Sequence, residues 1–203
     1  MDAKTQFGYN EYLHFKKLDE LDICSIQTNN FLQSDFHLES LIIPYFTSPL
    51  QEYNFFDKVE VNAGYELRDE LLYHLEKQHI FDLDGLAVTC SPYGLNDSAD
   101  RVRLMKILPM NPSLLTLESL TESLTNAFKD VSFIYPGGKA AVPLFGTSLF
   151  HIDDIAEAYK QALIQASGHL HRLESLEIFL APEEDSIVIS VLKTIIPPYF
   201  WKK

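Results

Sequence analysis

Apolar residues recur along this chain in two rhythms, and the rhythms alternate. From Ala63 to Gln78, Leu67, Leu71, Leu72 and Leu75 fall at the 3.6-residue spacing of an amphipathic helix. Ahead of it, Ile23-Cys24-Ser25-Ile26 and Leu41-Ile42-Ile43 read as short strands, the second closed by Pro44. A continuous apolar run with so little alternation predicts a strand covered on both faces. The Asp82-Leu83-Asp84-Gly85 turn leads into Leu86-Ala87-Val88-Thr89-Cys90, a run of β-formers. Arg101 to Leu108 then alternates basic and apolar residues with the period of a half-exposed strand, ended by Pro109 and Pro112.

The second half repeats the alternation. Thr116 is placed to cap a helix through Leu117, Leu120, Leu124 and Phe128, with Ser119 and Glu122 on its polar side. Val131 to Ile134 and Ala140 to Leu144 read as strands around the Pro136-Gly137-Gly138 turn. Asp153 and Asp154 open a helix through Ile155, Ala158, Tyr159, Ala162 and Leu163, acidic where the helix dipole favours it. Leu176 to Leu180 is a further strand, and Ile187 to Ile195 a last helix. Strands separated by helices predict an α/β fold of three layers, α/β/α, around a mixed and mostly parallel central sheet. Residues 1–20 are polar and aromatic and read as an extension that packs as a lid or an added strand; residues 21–203 form the domain.

Composition narrows the function classes. A chain of 203 residues buries roughly 70% of its unfolded surface, enough for its own core. Its 16 Lys and Arg against 29 Asp and Glu give a net charge of −13, with no basic cluster in sequence. Such a chain repels a phosphate backbone at long range, so no nucleic-acid partner is expected and a basic protein partner fits better. Cys24 and Cys90 lie far apart without a C-x-x-C motif and read as small buried hydrophobes on strands. The first residues show no charged flank followed by an apolar run, and no stretch approaches 18 apolar residues. Neither a secretion signal nor a membrane association is expected, and the default location is cytoplasmic.

One stretch carries chemistry. In Ala140-Ala141-Val142-Pro143-Leu144-Phe145-Gly146-Thr147-Ser148-Leu149-Phe150-His151, a buried strand runs into a loop of small residues just before a helix. Gly146 allows backbone N–H groups to approach a ligand, Thr147 and Ser148 add hydroxyl donors, and the helix start adds positive partial charge. A phosphate is held this way without Lys or Arg. A plain strand-to-helix turn carries the same residues, but in a parallel sheet this loop lies beyond the carboxyl ends of the strands, where ligands bind.

The order strand, phosphate loop, long helix, strand, short helix resembles the C-terminal half of macro domains. Phe145-Gly146-Thr147-Ser148-Leu149-Phe150 is similar to that family's second phosphate loop, which also follows a Pro-containing strand. Gly64-Tyr65-Glu66-Leu67-Arg68-Asp69-Glu70-Leu71 is similar to its Gly-x-x-Leu-x-x-Glu helix, and Gly85-Leu86-Ala87-Val88-Thr89 to the strand that follows. Ile23–Ile26 and Leu41–Ile43 are then similar to its first two central strands. The resemblance spans Leu21 to Ile196. It implies a pocket for ADP-ribose or a related phosphorylated nucleotide, with phosphate on Gly146, Thr147, Ser148 and Leu149. Tyr45, Phe46 or Phe150 is then set against base or ribose, Phe145 belongs to the same ligand loop, and Asn29 or Asn30 is set against a polar edge. Where family members that bind ADP-ribose carry an Asp after the first strand, this chain has Gln27-Thr28-Asn29-Asn30. Where hydrolytic members carry an Asn-rich turn and a Gly-rich loop, it reads Pro44 to Asn54 without a Gly. No catalytic residue carries over from the family.

The remaining candidates are weaker. His151 ends the loop beside Asp153 and Asp154, as either a surface loop histidine or an acid/base at neutral pH. His169-Leu170-His171 reads as solvated loop residues, and no metal or cofactor is expected. Asp82/Asp84 and Glu183/Glu184/Asp185 are acidic turns. Tyr45, Phe46, Tyr53, Phe55 and Phe56 serve either as core or as a stacking wall for a base. Two functions follow as expectations: binding of an ADP-ribose-like nucleotide, with removal of ADP-ribose as the reaction if there is one, or a non-enzymatic interaction protein of the immunity or inhibitor type with an acidic face.

Overall fold

The computed structural model describes residues 24–27, 40–45, 64–78, 87–95, 99–100, 102–106, 116–134, 137–144, 149–180 and 186–202. Within them lie six strands: β1 (Cys24–Gln27), β2 (Ser40–Tyr45), β3 (Ala87–Cys90), β4 (Val102–Lys106), β5 (Lys139–Pro143) and β6 (Ser175–Phe179). Four α-helices accompany them: α1 (Glu66–Gln78), α2 (Leu117–Ile134), α3 (Ile152–Leu170) and α4 (Ser186–Ile195). The strands form one sheet in the order β1-β6-β5-β2-β4-β3. Only β3 runs antiparallel, against β4, so the sheet is mixed and mostly parallel as the alternation predicts.

Register divides the side chains between two faces. Cys24, Ile42, Ala140, Val142, Leu176 and Ile178 point to one face and join Leu124, Phe128, Tyr159, Leu163 and Leu192 of α2, α3 and α4 in the main core. Cys90 and Val102 share the opposite face, where Leu67 and Leu71 of α1 are buried and α1 meets β3. The helices thus lie on both faces of the sheet, and both cysteines are buried as thiols rather than joined in a disulfide.

Two predicted elements change. Val131–Ile134 is no strand but the last turn of α2. Leu120, Leu124, Ala127, Phe128 and Val131 keep one buried stripe at helical spacing, and that packing overrides the β-propensity of the final residues. The hydroxyls of Thr121, Thr125 and Ser132 donate to carbonyls four residues back, so the stripe tolerates them. His169 likewise belongs to the last turn of α3 rather than to a loop, with His171 capping it. Thr116 does cap α2, accepting from the Ser119 N–H at 3.1 Å.

β1 is not central. Its outer side carries the chain's closing residues, where Trp201 bridges Cys24 and the Lys202 N–H donates to the Cys24 carbonyl. At the start of β5, Gly137 holds φ +82°, a conformation open to glycine, while the Glu174 N–H donates to the Gly138 carbonyl. Residues 1–20, the Asp82/Asp84 turn and Glu183–Asp185 lie outside the described residues. Among the described residues no helix is long and apolar enough to cross a membrane.

Candidate functional site

The sheet changes direction between β2 and β5. From β5 the chain passes through α3 to β6 on one side, while from β2 it proceeds to β3 and β4 on the other. Such a switch point leaves a crevice beyond the carboxyl ends of the two strands. Here the strands also come apart. β2 pairs with β4 from Leu41 to Tyr45, and β5 with β6 from Lys139 to Pro143, but β2 and β5 pair only at Ser40–Ala140 and Leu41–Ala141.

Two prolines account for the break. The Leu144 N–H donates to the Phe179 carbonyl at 2.7 Å, so residue 144 turns its polar groups toward β6. Groups alternate along a strand, so residues 141 and 143 turn theirs toward β2. Continuing the register, the nitrogen of residue 143 would donate to the Ile42 carbonyl, and the nitrogen of residue 44 to the Pro143 carbonyl. Both nitrogens belong to proline and carry no hydrogen. Each missing donor faces the same seam, so the outer ladders survive intact. Into the seam comes Tyr159 of α3, fully buried, whose hydroxyl donates to the Pro143 carbonyl at 2.8 Å.

Beyond Pro143 the predicted ligand loop begins. Phe145, Gly146, Thr147 and Ser148 lie outside the described residues, as do Asn29, Asn30, Phe46, Tyr53, Phe55 and Phe56; Tyr45 is described in its backbone alone. Leu149 and Phe150 are half-buried and pack against the main core. His151 is the N-cap of α3, where its carbonyl accepts from the Asp154 and Ile155 N–H groups. Its side chain does not cap. Instead Nδ1 lies 2.8 Å from Asp153 Oδ2, with the two side chains 72% and 58% exposed. In a neutral imidazole that contact puts the proton on Nδ1 and leaves Nε2 as the basic nitrogen, open to solvent.

The known structures decide what this arrangement is. No protein-family model matches the chain, and no curated protein matches its sequence. Among solved structures it is similar to a macrodomain of Oceanobacillus iheyensis, with a TM-score of 0.66, 15% identity, and 87% of this chain and 92% of that one covered. It is similar as well to the macro domain of ganglioside induced differentiation associated protein 2, with a TM-score of 0.64, 10% identity, and coverage of 91% and 88%. A Trypanosoma brucei macrodomain in complex with ADP-ribose matches at a TM-score of 0.62 and 11% identity, covering 88% of this chain and 71% of that one. The fold is that of a macrodomain.

In this fold β5 ends at the switch point with Pro143, and α3 begins at Ile152. Among the described residues no group of three or more His, Cys, Asp or Glu is placed to hold a metal ion. Sequence reasoning missed Tyr159 as anything but core. Its signal was present in Pro44 and Pro143, which mark two strands that cannot pair to their ends, but the two prolines are a hundred residues apart and only the register brings them together. A second feature, a groove of about 570 Å³ between α2 and α3, was also unforeseen; Glu118, Glu122, Asp154 and Glu157 line it with Gln161 and Gln165. There Gln161 and Lys160 donate to Glu157 and hold its carboxyl below the usual range.

Proposed function

We propose that this macrodomain binds ADP-ribose or a closely related phosphorylated nucleotide in the crevice between the carboxyl ends of β2 and β5. The observation that carries this reading is that β2 and β5 stop pairing after Leu41–Ala141, at the switch point where β5 ends. Phosphate is held by backbone amides of Gly146, Thr147, Ser148 and Leu149 and by the two hydroxyls, helped by the start of α3. Tyr45, Phe46, Phe145 and Phe150 supply rings for base or ribose, and Asn29 a polar edge. The Trypanosoma macrodomain of this fold, solved with ADP-ribose, supports the choice of ligand.

The reaction attached to this pocket is removal of ADP-ribose. Asp153 holds His151 at Nδ1, so that Nε2 takes a proton from the water whose oxygen bonds to the anomeric carbon of ADP-ribose; the bond to the modified group breaks, and that proton passes to the leaving group.

Thermal unfolding against ADP-ribose, NAD, ATP, AMP and inorganic phosphate tests the reading. A ligand at 100 times its dissociation constant stabilises the fold by about 2.7 kcal/mol, a shift of several degrees. A shift with ADP-ribose that is lost in Gly146→Glu is the expected result. If none of the five shifts the midpoint, the pocket reading fails, and the other reading takes its place: a non-enzymatic protein that meets a basic partner through its acidic surface, in a salt-sensitive complex.

A further inference from the structure

We propose that Tyr159 is a positioning residue for the Pro143–Leu144 peptide at the end of β5, its hydroxyl standing in for the β2 N–H that Pro44 lacks. The inference deepens the nucleotide reading and rests on it for its effect on ligand. Pro143 C=O and Leu144 N–H belong to one planar peptide unit, the last before the turn. That unit is pinned at both ends: Leu144 N–H donates to the Phe179 carbonyl at 2.7 Å, and Tyr159 Oη donates to the Pro143 carbonyl at 2.8 Å. With both ends fixed, the peptide plane at the end of β5 is set.

Tyr159 is itself well held. Its ring is buried and meets Phe128 edge-on, with ring centres 6.5 Å apart. It stands on α3, the helix into which the turn leads, so its hydrogen bond ties the two ends of residues 143–159 together across the turn. A phenylalanine there fills the same volume and keeps the ring contact. What it loses is the donor, which leaves the buried Pro143 carbonyl opposite Pro44, a residue with no N–H to give. The hydroxyl thus keeps the seam between β2 and β5 open without leaving its floor unsatisfied.

The test uses Tyr159→Phe, Pro44→Ala and the two combined. Pro44→Ala returns an N–H to the place from which β2 would reach the Pro143 carbonyl. Amide exchange at Leu144, followed by NMR, reads the peptide without ligand, and calorimetry reads ADP-ribose affinity. In Tyr159→Phe, Leu144 exchange is expected to rise and affinity to fall, each by about fivefold, the scale of one hydrogen bond. Adding Pro44→Ala is expected to recover most of the Leu144 protection, which a general loosening of the core does not do. Unchanged Leu144 exchange in Tyr159→Phe, or no recovery in the double variant, overturns the stand-in role. Altered exchange with wild-type affinity overturns the positioning of ligand. Wild-type protein that ignores ADP-ribose overturns the nucleotide reading and the ligand half with it, while exchange and recovery still decide whether Tyr159 replaces the missing donor.

Discussion

The Lys202 N–H donates to the Cys24 carbonyl over 2.7 Å, so residues 201 and 202 pair along the side of β1 that faces away from β6. An exposed edge strand offers a row of unpaired groups to other chains, so the closing residues protect as well as stabilise. Trp201 anchors them, its Nε1–H donating to the Ile196 carbonyl at 3.2 Å and its ring packing on the main core. Trp201→Ala is expected to cost about 2 kcal/mol, below the range for a fully buried Trp because this one is half-buried. Urea unfolding measures it: the midpoint falls with an unchanged slope. A midpoint equal to wild type would mean that the closing segment contributes nothing.

Cys24 lies under that same segment. Burial pushes its thiol far above the ordinary value, the Glu177 carboxylate adds to the rise, and Lys202 opposes it. The sign follows from the folded pKa exceeding the unfolded one. The folded state keeps a proton that the unfolded state loses, so the contribution is complete below about pH 8.5 and is lost as pH rises beyond it. Unfolding free energy is expected to fall by up to about 1.4 kcal/mol per pH unit above that point. Urea unfolding between pH 8 and pH 10, on wild type and Cys24→Ala, checks this; the variant's dependence should be visibly shallower.

Glu157 titrates in the opposite sense. Hydrogen bonds from Gln161 and Lys160 hold its carboxyl low, so its contribution is present above about pH 4.3 and is lost as pH falls through the folded value. The group is half exposed, and the effect on stability is small. A direct titration by carboxyl-carbon NMR is the better measurement. Gln161→Ala is expected to raise the Glu157 midpoint toward about 4.3, and an unmoved midpoint would show that the Gln161 bond is not made in solution.

Most of the architecture was legible because hydrophobic period survives folding. α1, α3 and α4 follow 3.6-residue stripes, β3, β5 and β6 follow apolar runs, and β4 follows an alternation of basic and apolar residues. Val131–Ile134 was not legible, since four apolar or β-branched residues fit a buried helix turn as well as a strand. Pro44 read as a strand end, yet β2 continues through it to Tyr45 because the missing donor faces away from β4. Of the site, the end of β5 and the acidic start of α3 were visible, while Gly146, Thr147 and Ser148 lie outside the described residues. The His151–Asp153 contact was visible as spacing. Tyr159 was not, because its role depends on register between strands far apart in sequence.

The packing of α2 on α3 supports the seam from behind. Phe128 is fully buried and its ring meets Tyr159 edge-on. Phe128→Ala removes that wall and is expected to cost about 3–5 kcal/mol, read by urea unfolding. Phe128→Leu keeps most of the volume and is expected to cost much less. Equal losses for the two variants would mean that ring contact rather than filled space matters at this position.

The His151–Asp153 pair gives the sharpest test of whether the pocket does chemistry. Nδ1 of His151 is 2.8 Å from Asp153 Oδ2, and the ring is largely exposed. A base in this position acts on water rather than on ligand binding. Release of ADP-ribose from a modified protein is therefore expected to fall by about 10²–10⁴-fold in His151→Ala, with a much smaller change in ADP-ribose affinity. Asp153→Asn keeps a partner for Nδ1 but removes the charge that stabilises the protonated ring, so its loss should be intermediate. If His151→Ala releases ADP-ribose at the wild-type rate, the pair is only the start of a helix. Should wild type release none while still binding ADP-ribose, the crevice reads a nucleotide without hydrolysing its bond.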